Sequence, residues 1–144
     1  MQYQQYDDTF FVYVEQNESV METLTQFCKD HEINNGYISG IGAVKNATIG
    51  AYDIPKKEYL KETFSDNHEL VSCQGNVTLL NGAPFIHIHL VLGDHHMNTK
   101  GGHLFEMDVA AVGEFVIRKL DGKATRELDS NIGLATWCLA HKEK

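Results

Sequence analysis

A chain of 144 residues is enough for one domain with a single sizeable core. Its 20 acidic residues outnumber its 12 basic ones, for a formal charge of −8, and only two of the bases are arginines, Arg118 and Arg126. That balance argues against gripping nucleic acid across the whole surface, because such binding rests on Lys and Arg neutralising phosphates. No apolar run approaches the roughly 20 residues needed to span a bilayer, and the opening MQYQQYDD is too polar and acidic for a secretory signal. Cys28, Cys73 and Cys138 form no CxxC pair, so they read as reduced thiols acting as small hydrophobes in a cytoplasmic protein with no membrane partner. The unusual figure is 8 histidines, several of them close together.

In chain order, residues 8–15 (DTFFVYVE) are aromatic and β-branched and predict a strand. Ser19 and Glu22 fit a capping box for a helix whose apolar stripe is Val20, Leu24, Phe27 and Cys28, with Asn34, Asn35 and Gly36 as its stop. Strands are expected at 36–44, at 46–53 after a bend, at 57–64, and at 69–80 with a kink at Gly75. Asn81-Gly82 is a tight-turn dipeptide leading into a strand at 84–92. A polar loop, GDHHMNTKGG, then precedes strands at 103–111, 113–120 and 133–140. The sum is an α+β class: a single domain over 1–144, with an antiparallel-rich mixed sheet and one main helix packed on it.

Chemistry concentrates in the histidines. Alternation along a strand points His87 and His89 to one face, about 6.5–7 Å apart, close enough for both imidazoles to reach one ion at about 2.0–2.1 Å. If 84–92 and 103–111 pair across the polar loop, His103 falls beside His89. Three imidazoles plus an open position then make an accessible metal site for a divalent ion, zinc being the expected one. The plain alternative for a lone HxH is two hydrogen-bonded strand histidines. His95 and His96 read as loop surface, and His31, His68 and His141 as structural.

The segment GIGAV (40–44) lacks the third glycine and the following helix of a dinucleotide fingerprint, so its glycines read as structural. Lys56, Lys57 and Lys61, interrupted by Glu58 and Glu62, read as a solvated strand edge with Tyr59 on the face of Lys57 and Lys61. No nucleophile or Ser-His-Asp order stands out. Residues 36–52 are apolar on both strand faces, and one helix covers only one side of a sheet, so a symmetric partner is expected on the other. By that reading Gly42→Leu disturbs assembly more than the core of a single chain.

Taken together, INNGYISGIGAVKNATIGAYD, ELVSCQGNVTLLNGAPFIHIHLVLGD and GGHLFE resemble, over about residues 8–120, the plants-and-prokaryotes conserved (PPC) domain. That domain accompanies AT-hooks in plant nuclear proteins and stands free in bacteria and archaea. The resemblance implies an α+β domain, a homotrimer, and His87, His89 and His103 as metal ligands at or near a subunit boundary. It also implies DNA binding, which in plants leans on an Arg-Gly-Arg-Pro hook that this sequence lacks. Three functions follow as expectations: a homotrimeric metal-binding domain, a DNA-associated regulator, or a metal-dependent enzyme acting on a small anionic substrate. In the third, Glu106 or a loop histidine would assist, although strand parity turns Glu106 away from His103.

Overall fold

The computed structural model describes residues 1–139; the expected role of His141 and the last residue of the 133–140 strand lie outside them. The fold is richer in strand than an α+β reading suggests. Among the described residues, nine strands and one helix follow in the order β1 (Gln2–Tyr6), β2 (Thr9–Val14), α1 (Val20–Asp30), β3 (Gly36–Asp53), β4 (Glu58–Phe64), β5 (His68–Leu80), β6 (Ala83–Gly93), β7 (Thr99–Lys119), β8 (Thr125–Asp129) and β9 (Leu134–Cys138). Two expected breaks are missing. Residues 36–53 form one strand, as do 99–119, because their register shifts absorb the bends without ending the ladder. Strand β1 was not expected. It is uniformly exposed and pairs only with β2, so it carries no alternating pattern to read.

Helix α1 forms where its stripe requires. Ser19 accepts a hydrogen bond from the Glu22 backbone N–H at 3.4 Å, and Val20, Leu24, Phe27 and Cys28 are the buried residues. It stops at His31, before the Asn-Asn-Gly signal, and Gly36 opens β3 instead. The His31 ring packs on Phe27, Tyr3 and Phe10, which supports a structural role. Asn81 and Gly82, with φ of 51° and 80°, make the two-residue turn between β5 and β6.

Strands β3, β5, β6 and β7 pair in a closed ring: β3 with β5, β5 with β6, β6 with β7 and β7 with β3, all antiparallel. Among the described residues one parallel pair, β5 with β8, makes the sheet mixed. Closure puts Ile38, Val44, Leu70, Val77, Ile88, Leu92, Leu104 and Val109 in a common core, over which α1 lies against β6 and β7.

The ring needs close backbone approaches. A Cβ on Gly40 would strike the Phe115 ring, and one on Gly42 would strike the Val112 carbonyl oxygen of the same chain. The constraint at Gly42 is therefore internal to one chain, which corrects the expectation that Gly42→Leu acts first on assembly. Even Gly42→Ala is expected to lower stability by about 1–3 kcal/mol through overpacking. Thermal unfolding of that variant at wild-type Tm would refute the close approach.

Candidate metal centre

Each ring in the centre is placed by pairing. On β6, Ile86, Ile88, Leu90 and Leu92 point into the core, so His87 and His89 project from the opposite face. On β7, Leu104 is buried in the core and its neighbour His103 takes the outer face. The ladder sets His103 directly against His89, as the expected hairpin requires. Strand β5 completes the floor, with Gln74 opposite His89 and Asn76 opposite His87.

The three rings converge. Centroids lie 5.0 Å apart for His87–His89, 5.0 Å for His87–His103 and 5.5 Å for His89–His103, and one nitrogen from each ring lies within 4.8 Å of the others. Two nitrogens bound to one ion at about 2.0–2.1 Å stand no more than about 4.2 Å apart. At most a small χ rotation completes the approach. His87 and His103 are half-buried and His89 is exposed, so the cluster opens to solvent on one side.

Two observations test whether these residues fit a metal. Nδ1 of His103 is buried and has no hydrogen-bond partner, a deficit worth about 1–3 kcal/mol that an ion would relieve. The donors are all imidazoles, the set that suits borderline divalent ions such as zinc. Both fit. Neither loop histidine joins the cluster: His95 and His96 are exposed, and the His96 backbone N–H donates to Asp94 Oδ1 at 2.8 Å. His68 is buried and bonds through Nδ1 to the Asp66 carbonyl oxygen, a structural role. Parity would set Glu106 on the core face with Leu104, but the β3–β7 register shifts between the two and Glu106 is exposed; it is not one of the three clustered residues.

Residues beyond the three histidines also shape the centre. Tyr59 from β4 lies 4.9 Å from the His103 ring, with Phe105 4.8 Å away. Lys61 sits 3.7 Å over the Phe105 ring, so it is not simply a solvated edge charge. Lys57 is not in β4 at all; it turns the chain at φ 53° and donates to the Ser130 carbonyl oxygen. Arg126, from β8, reaches His87. Sequence reasoning singled out Arg126 only as one of two arginines and had no local signal to bring it here.

These features define a β-rich domain, closed through four strands, with an accessible three-imidazole cluster on its outer face. The chain belongs to the Plants and Prokaryotes Conserved (PCC) domain family, whose model matches residues 1–121. It is similar to a plant- and prokaryote-conserved protein of Pyrococcus horikoshii, at 34% identity over 98% of this chain and 96% of that one, with a TM-score of 0.87. A metal-containing protein of Archaeoglobus fulgidus is 33% identical over 94% of this chain and 96% of its own, with a TM-score of 0.85. A Bacteroides thetaiotaomicron protein named "putative DNA binding protein" is 26% identical over 95% and 96%, with a TM-score of 0.93. No curated protein matches the chain.

Burial pushes the pKa of His87 down to about 4, helped by the Arg126 charge and by His89. Burial likewise pushes His103 down to about 4, helped by His87, His89, Lys61 and Arg126. Unfolded, both rings titrate near 6.5. Between about pH 6.5 and 4 the unfolded chain therefore binds more protons than the metal-free folded protein. Stability contributed by the neutral rings is complete above pH 6.5 and is lost as pH falls towards 4. Urea unfolding of metal-free protein at pH 7 and pH 5 should show this loss, reduced in a His87→Phe/His103→Phe double variant. Equal losses in the two proteins would contradict it.

Proposed function

We propose that this protein is a homotrimeric metal-binding domain in which His87, His89 and His103 hold one divalent ion, zinc by preference. The observation that carries the reading is the convergence of three imidazoles on adjacent strands, and the buried, unpartnered Nδ1 of His103 stands beside it. The similarity to a protein described as metal-containing supports it. When bound, such an ion supplies a Lewis acid with an open coordination position. Purified without a histidine tag, the protein should carry close to one divalent ion per chain by elemental analysis, and His89→Ala should lose it. Full occupancy in a His87→Ala/His89→Ala double variant would overturn the assignment.

The trimer is supported by apolar surface on the sheet. Tyr3, Phe11, Tyr13 and Ile41 are exposed and line a groove of about 750 Å³ that reaches Gln74, beside the histidines. Exposed apolar surface of this kind is what a symmetric partner buries. A cytoplasmic setting agrees with the free cysteines, although Cys138 is exposed while Cys28 and Cys73 are buried hydrophobes with thiols pushed up to about 12 by burial. Among the described residues no helix is long and apolar enough to cross a membrane.

DNA binding is the second reading, favoured by one relative's name. The charge of −8 and the missing Arg-Gly-Arg-Pro hook weigh against it. Fluorescence anisotropy at about 150 mM salt should show weak or no duplex binding, with any low-salt binding sequence-independent and steeply screened. A sub-micromolar, sequence-selective complex at that salt would reverse the order of the two readings.

A further inference from the structure

Beyond residues 1–121 that match the family, the hairpin β8–β9 brings one side chain to the histidine cluster. Arg126 is 8% exposed. Its Nε donates to Thr78 Oγ1 at 2.9 Å and its Nη1 to the Ala135 carbonyl oxygen at 2.8 Å. Its Nη2 donates both to Asn76 Oδ1 at 2.8 Å and to His87 Nδ1 at 3.2 Å. The guanidinium carbon also lies 5.3 Å from the Phe85 ring centre and 5.9 Å from that of Trp137. This is a fixed cation with four of its five N–H groups engaged, one of them on a ring that a metal ion needs.

Coordination and this hydrogen bond exclude each other. A guanidinium only donates, so Nη2–H requires a lone pair on His87 Nδ1. If an ion takes Nδ1, that lone pair is used. If an ion takes Nε2, the neutral ring carries its proton on Nδ1 and turns a donor towards a donor. Either way Nη2 keeps Asn76 and loses its second acceptor inside a mostly buried site, at the cost of an unmade hydrogen bond.

Charge points the same way. Besides the imidazoles themselves, the charged groups that act on His87 and His103 are Arg126 and Lys61, both cationic, and the three-residue cluster contains no carboxylate. A dication would enter beside two positive charges with nothing to offset them. The unneutralised charge and the released N–H are met by one ligand: a small oxyanion, with one oxygen for the open coordination position and another for Nη2.

We propose that Arg126 is the anion-recognising residue of the three-histidine centre, competing with the metal for His87 until a small carboxylate or phosphate takes over its Nη2–H. This rests on the metal reading above. Metal and oxyanion then bind synergistically, each tightening the other by the same factor.

Cobalt(II), followed by its visible absorption, tests this on the full chain. It is titrated into wild-type and Arg126→Met protein at neutral pH in chloride, acetate or inorganic phosphate of equal ionic strength, with free cobalt corrected for complexation by the anion. Wild-type affinity should rise roughly tenfold from chloride to acetate or to phosphate, the responding buffer naming the oxyanion. A folded Arg126→Met protein should bind cobalt in chloride about as tightly as the wild type does with the anion, and should show no anion effect. Wild-type affinity that ignores the anion overturns the proposal whether or not the variant folds. So does an anion effect that persists in the folded variant, since the metal alone would then hold the anion. If neither protein binds cobalt in any buffer, the three-histidine metal reading itself falls, and this proposal with it.

Discussion

Slip β7 by one residue against β6 and His103 would turn into the core while Leu104 came out to face the imidazoles, because alternate strand residues point to opposite faces. The register that pairs His89 with His103 is therefore what the centre depends on, and the core enforces it. Leu104, Met107 and Val109 on β7 are all buried, so a slipped β7 would expose them together. At roughly 1.5–3 kcal/mol for each large apolar side chain exposed, the penalty far exceeds what any rearrangement of three surface histidines could recover. The site is held from behind, by apolar residues that never touch it.

Closure of the ring serves the same end. A two-stranded hairpin would leave His87, His89 and His103 on a flexible ribbon, whereas β6 is paired on both edges, by β5 and by β7. The bends that closure demands are placed in β3, at the register shifts around Gly42 and from Lys45 to Ile49, the last of them opposite Leu104 and Glu106. The ladder is regular again where Gly50 meets His103 and where His103 meets His89, which suits a set of ligands that must meet a common point.

Much of this was legible in the sequence because it is written at short range. Period-two alternation gave β6 and its outward histidines, Ser19 and the four-residue stripe gave α1, and Asn81-Gly82 gave the turn that fixes β5 against β6. The HxH and GGH motifs converge because a hairpin is itself a nearly local structure. What escaped is non-local. Arg126 lies 39 residues from its contact at His87 and arrives through a parallel pairing of β8 with β5 that no nearby pattern announces. Tyr59 read as part of a charged edge, and its approach to His103 depends on β4 pairing with β3 and β3 with β7. The continuous strands at 36–53 and 99–119 were divided in the sequence reading because a bulge and a strand end both appear as small or polar residues.

The central claim is that one ion sits among three named nitrogens, and anomalous diffraction from crystals of untagged protein, collected on both sides of the zinc edge, tests it most directly. The account predicts one anomalous peak per chain, about 2.0–2.1 Å from a nitrogen of each of His87, His89 and His103. A zinc peak at His95 and His96 instead, with the three strand histidines bare, would contradict it.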